Sequence, residues 1–163
     1  MKAIVVEEQQ ALAWKEVDTP QPGLNEILIR VQATAINRAD LMQRRGLYPP
    51  PPGASDIMGL ECAGVVEALG EGVSRFSIGD QVCALLAGGG YAEFASVDEG
   101  SAVPMPEGLS FDEAAALPEV YATAWLNLFI EADLQPGERA LIHAGASGVG
   151  SAAIQLCLSL IHI

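Results

Sequence analysis

The residues best suited to chemistry are Gly145, Ser147, Gly148, Val149 and Gly150, in the stretch Ala144-Gly-Ala-Ser-Gly-Val-Gly150 near the end of the chain. Small side chains at this density let backbone N–H groups come close to an anion, and a helix beginning behind them adds partial positive charge. Gly145, Ser147 and Gly150 take the three small positions of a Gly-x-Gly-x-x-Gly pattern, with Ser147 in the middle. The pattern suits a pyrophosphate, and it also suits a tight turn that packs a helix closely on a strand. What favours the phosphate reading is the context, a strand before the turn and a helix after it. Ala140-Leu-Ile-His143 reads as a short buried parallel strand, and Ser151–Leu156 has helix-forming composition. The Ser147 hydroxyl either holds the backbone slightly away from a phosphate or donates to it. His143, at the end of the apolar run, reads as a core histidine in preference to a general acid.

The elements that must position this turn change character along the chain. Met1–Val6, Leu12–Val17, Glu26–Ala35, Cys62–Leu69, Gln81–Leu86 and Tyr91–Val97 read as strands, divided by Gly- and Pro-rich turns. In Glu26–Ala35, Ile27, Ile29, Val31 and Ala33 alternate with Arg30, Gln32 and Thr34, the pattern of a half-buried antiparallel strand. Asn37–Arg45 reads as a short helix with Asn37 as a possible cap and Gly46 as its stop, before the proline run Tyr48–Gly53. From Ser110 the pattern becomes helical, over Phe111–Leu117 and, after Pro118, over Glu119–Ala132. The expected organisation is therefore a β-rich barrel domain over 1–105, a helical connection over 106–132, and the first strand, Gly-rich turn and helix of an α/β domain over 133–163.

Composition narrows the function. The 8 basic and 21 acidic residues give a net charge of −13, which argues against nucleic acid and against anionic membrane surfaces as partners. Cys62, Cys83 and Cys157 form no Cys-x-x-Cys pair, so the sequence offers neither a zinc ribbon nor a disulfide framework. They read as small buried hydrophobes in a reducing compartment. The N-terminus has no signal-like apolar segment, and no stretch approaches a membrane span, so a cytoplasmic location is expected.

Several longer strings together resemble a known family: Asn37-Arg-Ala-Asp-Leu-Met-Gln-Arg-Arg-Gly-Leu-Tyr-Pro49, Pro52-Gly-Ala-Ser55, Gly59-Leu-Glu-Cys-Ala-Gly64, Pro104-Met-Pro-Glu-Gly108 and Ala114-Ala-Ala-Leu-Pro-Glu119. With Thr123-Ala124 and the Gly-rich turn, they resemble the N-terminal half of the medium-chain dehydrogenase/reductases. The likeness is to the zinc-free NAD(P)H quinone oxidoreductase branch, of the p53-inducible type. The resemblance implies a GroES-like β-barrel domain, then the start of a Rossmann domain, with the active-site cleft between the two. It implies NADPH as cofactor (NADH being possible), a quinone or similar conjugated carbonyl as acceptor, and a homodimer at full length.

The same resemblance assigns residues. Thr123 sits beside the nicotinamide, Asn37, Asp40 and Tyr48 line the acceptor cleft, and Gly145, Ser147, Gly148, Val149 and Gly150 hold the pyrophosphate. An aromatic face with a hydroxyl, plus an amide donor, suits a flat ring with two carbonyl acceptors. Each residue also has a plainer reading: Asn37 as a helix cap, Asp40 as a first-turn carboxylate facing water, Tyr48 as an anchor of the proline loop, Thr123 as a buried helix position. Arg44 and Arg45 either attract a phosphate or merely suit a helix end. Zinc-dependent relatives place Cys and His where this chain has Asn37 and Leu60, so no catalytic zinc is expected. An enoyl or 2-alkenal reductase of the same superfamily, or a non-enzymatic GroES-like binding module, remain the alternatives.

The Rossmann domain is expected to be truncated, because further strands and the reader of the adenosine ribose belong beyond the Gly-rich turn. The chain alone is accordingly expected to be inactive and to show little or no thermal stabilisation by NADPH, and NAD against NADP preference is unreadable in it. Leu158–Ile163 departs from the family pattern and resembles a translated sequencing adapter, so the natural sequence is expected to end near Cys157.

Overall fold

A computed structural model describes residues 1–161; the adapter reading of Leu158–Ile163 thus falls partly outside the described residues. The chain forms two compact units, Met1–Ala116 and Leu117 onward.

In the first unit, β1 (Lys2–Val6) and β2 (Leu12–Glu16) pair as an antiparallel hairpin, from Lys2 opposite Glu16 to Val6 opposite Leu12. A second, five-stranded sheet is antiparallel throughout. It comprises β3 (Glu26–Thr34), β4 (Glu61–Leu69), β5 (Gln81–Leu85), β6 (Phe94–Asp98) and β7 (Ala102–Pro104), in the spatial order β6-β3-β4-β5-β7. Alternation explains the core: Ile27 and Ile29 of β3 meet Cys62 and Val66 of β4 and Val82 of β5 on one face of the sheet. Val31 packs with this cluster, but Ala33 packs with Ala63, Cys83 and Ala114 in another. A register shift against β4 between Val31 and Ala33 separates them, so β3 does not keep one apolar face from end to end.

Two short helices complete the unit. Helix α1 (Arg38–Arg44) starts at Asn37 and ends where Gly46 takes a positive φ of 71°. Helix α2 (Phe111–Ala114) is opened by Ser110, whose hydroxyl accepts from the Glu113 N–H while the Glu113 carboxylate accepts from the Ser110 N–H. It is shorter than the expected Phe111–Leu117, because the chain turns before Pro118 starts a new helix. The strand expected over Tyr91–Val97 begins only at Phe94, and β7 is an element that the Pro-containing sequence Ala102-Val-Pro104 did not announce.

In the second unit, α3 (Pro118–Trp125) runs on as a π-helical turn over Leu126–Glu131. Helix α4 (Gly148–Leu156) continues likewise over Cys157–Ile161. They meet through Ala124, Ala152 and Ala153, and the Tyr121 hydroxyl donates to Gln155 Oε1 at 2.6 Å. The expected strand over Ala140–His143 is not formed. A parallel strand exists only through its neighbours, and no strand is present in this unit among the described residues. Leu141 is 85% exposed, and His143 is exposed too, not a core histidine. No helix among the described residues is long and apolar enough to cross a membrane.

Candidate functional site

In the second unit the Gly-rich turn is built as a helix start. Ser147 is the N-cap of α4: its backbone is extended (φ −75°, ψ 167°) and its hydroxyl accepts from the Gly150 N–H at 3.0 Å. Its own N–H closes the turn on the Ala144 carbonyl at 2.8 Å, with Ala144 at φ 52°. Gly150 is buried, and a Cβ there would stand 2.3 Å from the Ala144 carbonyl oxygen. The first turn of α4 carries no acidic residue, while Gly148 is exposed and Gly145 and Val149 are half-buried. The leading N–H groups of a helix lack intrahelical partners, so this end can take a phosphate oxygen, and the residues fit a pyrophosphate group. On α3, Thr123 is half-buried, and its hydroxyl donates to Glu119 Oε1 at 3.4 Å.

In the first unit the structure gathers Asn37 and Asp40 and leaves Tyr48 apart. Asn37 lies between β3 and α1. Its N–H donates to Asp40 Oδ2 at 2.8 Å, the carboxylate half of a capping box. Its side-chain Nδ2 donates to Glu61 Oε1 at 2.7 Å. Asp40 is only 2% exposed, and its other oxygen accepts from the Gly59 N–H at 3.2 Å. The Tyr91 hydroxyl reaches the same carboxylate and donates to the Ala35 carbonyl at 3.3 Å. Burial first, then the hydrogen bond to Asp40 and the charges of Asp40 and Glu61, push the Tyr91 phenol above its usual range, so it stays a protonated donor. Asp40 is thus committed to holding the chain together. Tyr48 stands in the proline loop, 47% exposed. Arg44 turns its Nε to the Gln10 carbonyl at 2.7 Å.

Glu61 and Tyr91 belong to this network and were not among the residues singled out from sequence. Glu61 had a signal: a carboxylate at the head of the apolar strand Glu61-Cys-Ala-Gly-Val-Val66 has to be paired if it is buried, and it is 1% exposed. Tyr91 had none beyond the three glycines before it.

The alcohol dehydrogenase GroES-like domain model matches residues 23–107, which includes the whole five-stranded sheet and α1. The chain belongs to this family. Its place among the medium-chain dehydrogenase/reductases follows from individual relatives. It is 44% identical over 144 residues to the synaptic vesicle membrane protein VAT-1 homolog of Danio rerio, covering 87% of this chain and 30% of that protein. Among solved structures, the CurK enoyl reductase superposes with a TM-score of 0.88 at 36% identity, over 97% of this chain and 51% of that one. The quinone oxidoreductase from Thermus thermophilus, solved also with NADPH, gives 0.81 at 35% identity, over 98% and 50%. This chain therefore spans about a third of that curated relative and about half of these solved chains. The GroES-like reading of the β-rich part stands.

Proposed function

We propose that this chain supplies the acceptor-binding domain and the pyrophosphate turn of an NADPH-dependent reductase of quinones or similar conjugated carbonyls, a homodimer at full length. The observation that carries the reading is the treatment of Asn37. At the two positions where the zinc-dependent relatives implied by the resemblance carry Cys and His, this chain has Asn37, tied to Glu61, and Leu60, which has no lone pair to offer. Neither fits a zinc ligand, which favours transfer without a metal Lewis acid. An amide held rigidly in that place is suited to donate to a carbonyl oxygen that gains charge.

The nicotinamide cofactor, when bound, supplies the hydride. What the chain's own residues do is bind and orient. The start of α4 receives the pyrophosphate through the N–H groups of Gly148 and Val149. The Ser147 hydroxyl, already accepting from Gly150, keeps its proton to donate to a phosphate oxygen. Thr123 contacts the nicotinamide edge, and Asn37 and Tyr48 contact the acceptor. Two similar structures are complexes with NADPH, which supports NADPH, and another is named an NAD-dependent alcohol dehydrogenase, which keeps NADH as the alternative.

The test is NADPH oxidation by the full-length protein with 1,2- and 1,4-quinones beside 2-alkenals. Turnover that falls to background in a Thr123→Val/Tyr48→Phe double variant is the expected result. Equal rates in parent and variant with every acceptor would refute the reading. The likeness to an enoyl reductase supports the second reading, reduction of an enal or enoyl carbon–carbon bond, and the enal arm of the assay decides between them.

A further inference from the structure

Asn37 is fixed from two directions by residues distant from it in sequence. From one side comes Glu61, 24 residues away and the first residue of β4. A carboxylate only accepts hydrogen bonds, so it dictates which end of the Asn37 amide faces it: the nitrogen, at 2.7 Å. The amide oxygen is thereby turned away, and the second Nδ2 proton is left for another acceptor. Glu61 is itself held in place, since its carbonyl accepts from the Thr34 hydroxyl at 2.7 Å.

From the other side comes Tyr91. Its hydroxyl donates to the carbonyl of Ala35, two residues before Asn37, and reaches the Asp40 carboxylate that accepts from the Asn37 N–H. Tyr91 arrives there because two glycines cross. The Gly90 N–H donates to the Gly59 carbonyl at 3.0 Å and the Tyr91 N–H to the Met58 carbonyl at 2.9 Å. A Cβ on Gly59 would lie 2.6 Å from the Tyr91 nitrogen, and one on Gly90 would lie 2.8 Å from the Glu61 carbonyl oxygen. Gly59 also sits at φ 103°, where a side chain is strained. The crossing thus brings the Tyr91 and Glu61 segments together beside Asn37.

We propose that Glu61 and Tyr91 are positioning residues for Asn37: Glu61 sets the orientation of its amide, and Tyr91 fixes the turn of backbone that carries it. The proposal rests on the reading of Asn37 as the donor to the acceptor carbonyl, and it extends that reading to two residues that do not touch substrate.

Two measurements test it. The first needs no turnover: the side-chain amide protons of Asn37 are followed by 15N NMR in the full chain. The parent shows two well-separated protons, one of them slow to exchange with solvent. Glu61→Gln keeps this signature because its amide oxygen still accepts, and Glu61→Leu loses it. The second is a kinetic cycle in the full-length protein. Glu61→Leu and Asn37→Ala each lower kcat by roughly tenfold, in the range of coupling between contacting residues. Both leave KM for NADPH unchanged, and the double variant falls no further than Asn37→Ala alone. Tyr91→Phe gives a smaller loss of the same kind, and Glu61→Gln restores most of the rate. Unchanged Asn37 protons in Glu61→Leu, or losses that multiply in the double variant, would overturn the proposal. A parent that reduces no acceptor counts against the proposed function alone, because the NMR arm still decides the positioning. Should Glu61→Leu fail to fold, Glu61→Ala takes its place in both measurements, with the same losses expected.

Discussion

Gly150 lies so close under Ala144 that a Cβ on it would stand 2.3 Å from the Ala144 carbonyl oxygen and 2.8 Å from the Cα of Gly145. Both neighbours are backbone, which cannot swing aside as a side chain can. Gly150→Ala must therefore push the turn away from the start of α4, breaking the 3.0 Å bond from its own N–H to the Ser147 hydroxyl. A loss of about 1–3 kcal/mol is expected, typical of overpacking. It is read as an earlier loss of far-ultraviolet helical signal in urea. Gly145→Ala is the comparison: its Cβ would meet only the tip of the Ile154 side chain, at 3.3 Å, and should cost much less.

That turn was legible because its demands are local. The glycine at 150 follows from its contact with the backbone of Ala144 and Gly145, within seven residues, and the cap at Ser147 from one hydroxyl and one N–H three positions on. The strand assigned to Ala140–His143 failed for the opposite reason: an apolar run states that a segment is to be covered, not which strand will cover it. In the barrel, alternation placed Ile27 and Ile29 inside, but the shift between Val31 and Ala33 depends on pairing with β4 and leaves no periodic trace. Asn37 and Asp40 were visible as neighbours on one helix start. Their partners Glu61, Gly59 and Tyr91 are brought in by sheet register and by the crossing of Gly59 and Gly90, distances along the chain that no short motif spans.

A capping prediction follows for α2. The Ser110 hydroxyl accepts from the Glu113 N–H at 3.3 Å, and Glu113 Oε2 accepts in turn from the Ser110 N–H at 2.8 Å. Hydrogen bonds from the Ser110 N–H, first, and then from its hydroxyl hold the Glu113 carboxyl below its usual range. Ser110→Ala should lower stability by about 1 kcal/mol. It should also let the Glu113 carboxyl titrate nearer its ordinary value, seen as an upward move of its side-chain carboxyl 13C midpoint. An unmoved midpoint would show that the hydroxyl does not donate to the Glu113 carboxylate, and unchanged stability would show that it contributes nothing to the cap.

The thiol of Cys62 gives a pH prediction. Burial first, then the neighbouring Cys83 and Glu61, push its pKa from 9.0 up to about 12. The folded chain thus holds this proton more tightly than the unfolded chain does. The resulting stability is fully present below pH 9 and is lost as pH rises from 9 towards 12. Tyr91, also raised, acts in the same direction at higher pH. The urea midpoint should fall steadily over this window, and less steeply in Cys62→Val. Alkylation of Cys62 by iodoacetamide at mildly alkaline pH should be far slower in native protein than in concentrated urea; equal rates would contradict the burial of this thiol.

Asp40 allows the sharpest separation of charge from shape. Its two oxygens accept from the Asn37 N–H at 2.8 Å and the Gly59 N–H at 3.2 Å, with the Tyr91 hydroxyl beside them. Both N–H partners are donors, so a carboxylate, which only accepts, satisfies each of them, while the single Tyr91 proton goes to the Ala35 carbonyl. Asp40→Asn keeps the size but replaces one accepting oxygen with an NH2 group. Whichever way the amide turns, a donor then faces the N–H of Asn37 or of Gly59. With one buried N–H left unsatisfied, a cost of about 1–3 kcal/mol is expected. Asp40→Ala strands both and should cost more, even though it removes a carboxylate from a chain already carrying a net charge of −13. Urea denaturation of the two variants beside the parent checks the order. If Asp40→Asn were as stable as the parent, the carboxylate would be holding neither N–H, and the anchoring of Asn37 would have to come from Glu61 and from the Tyr91 bond to Ala35.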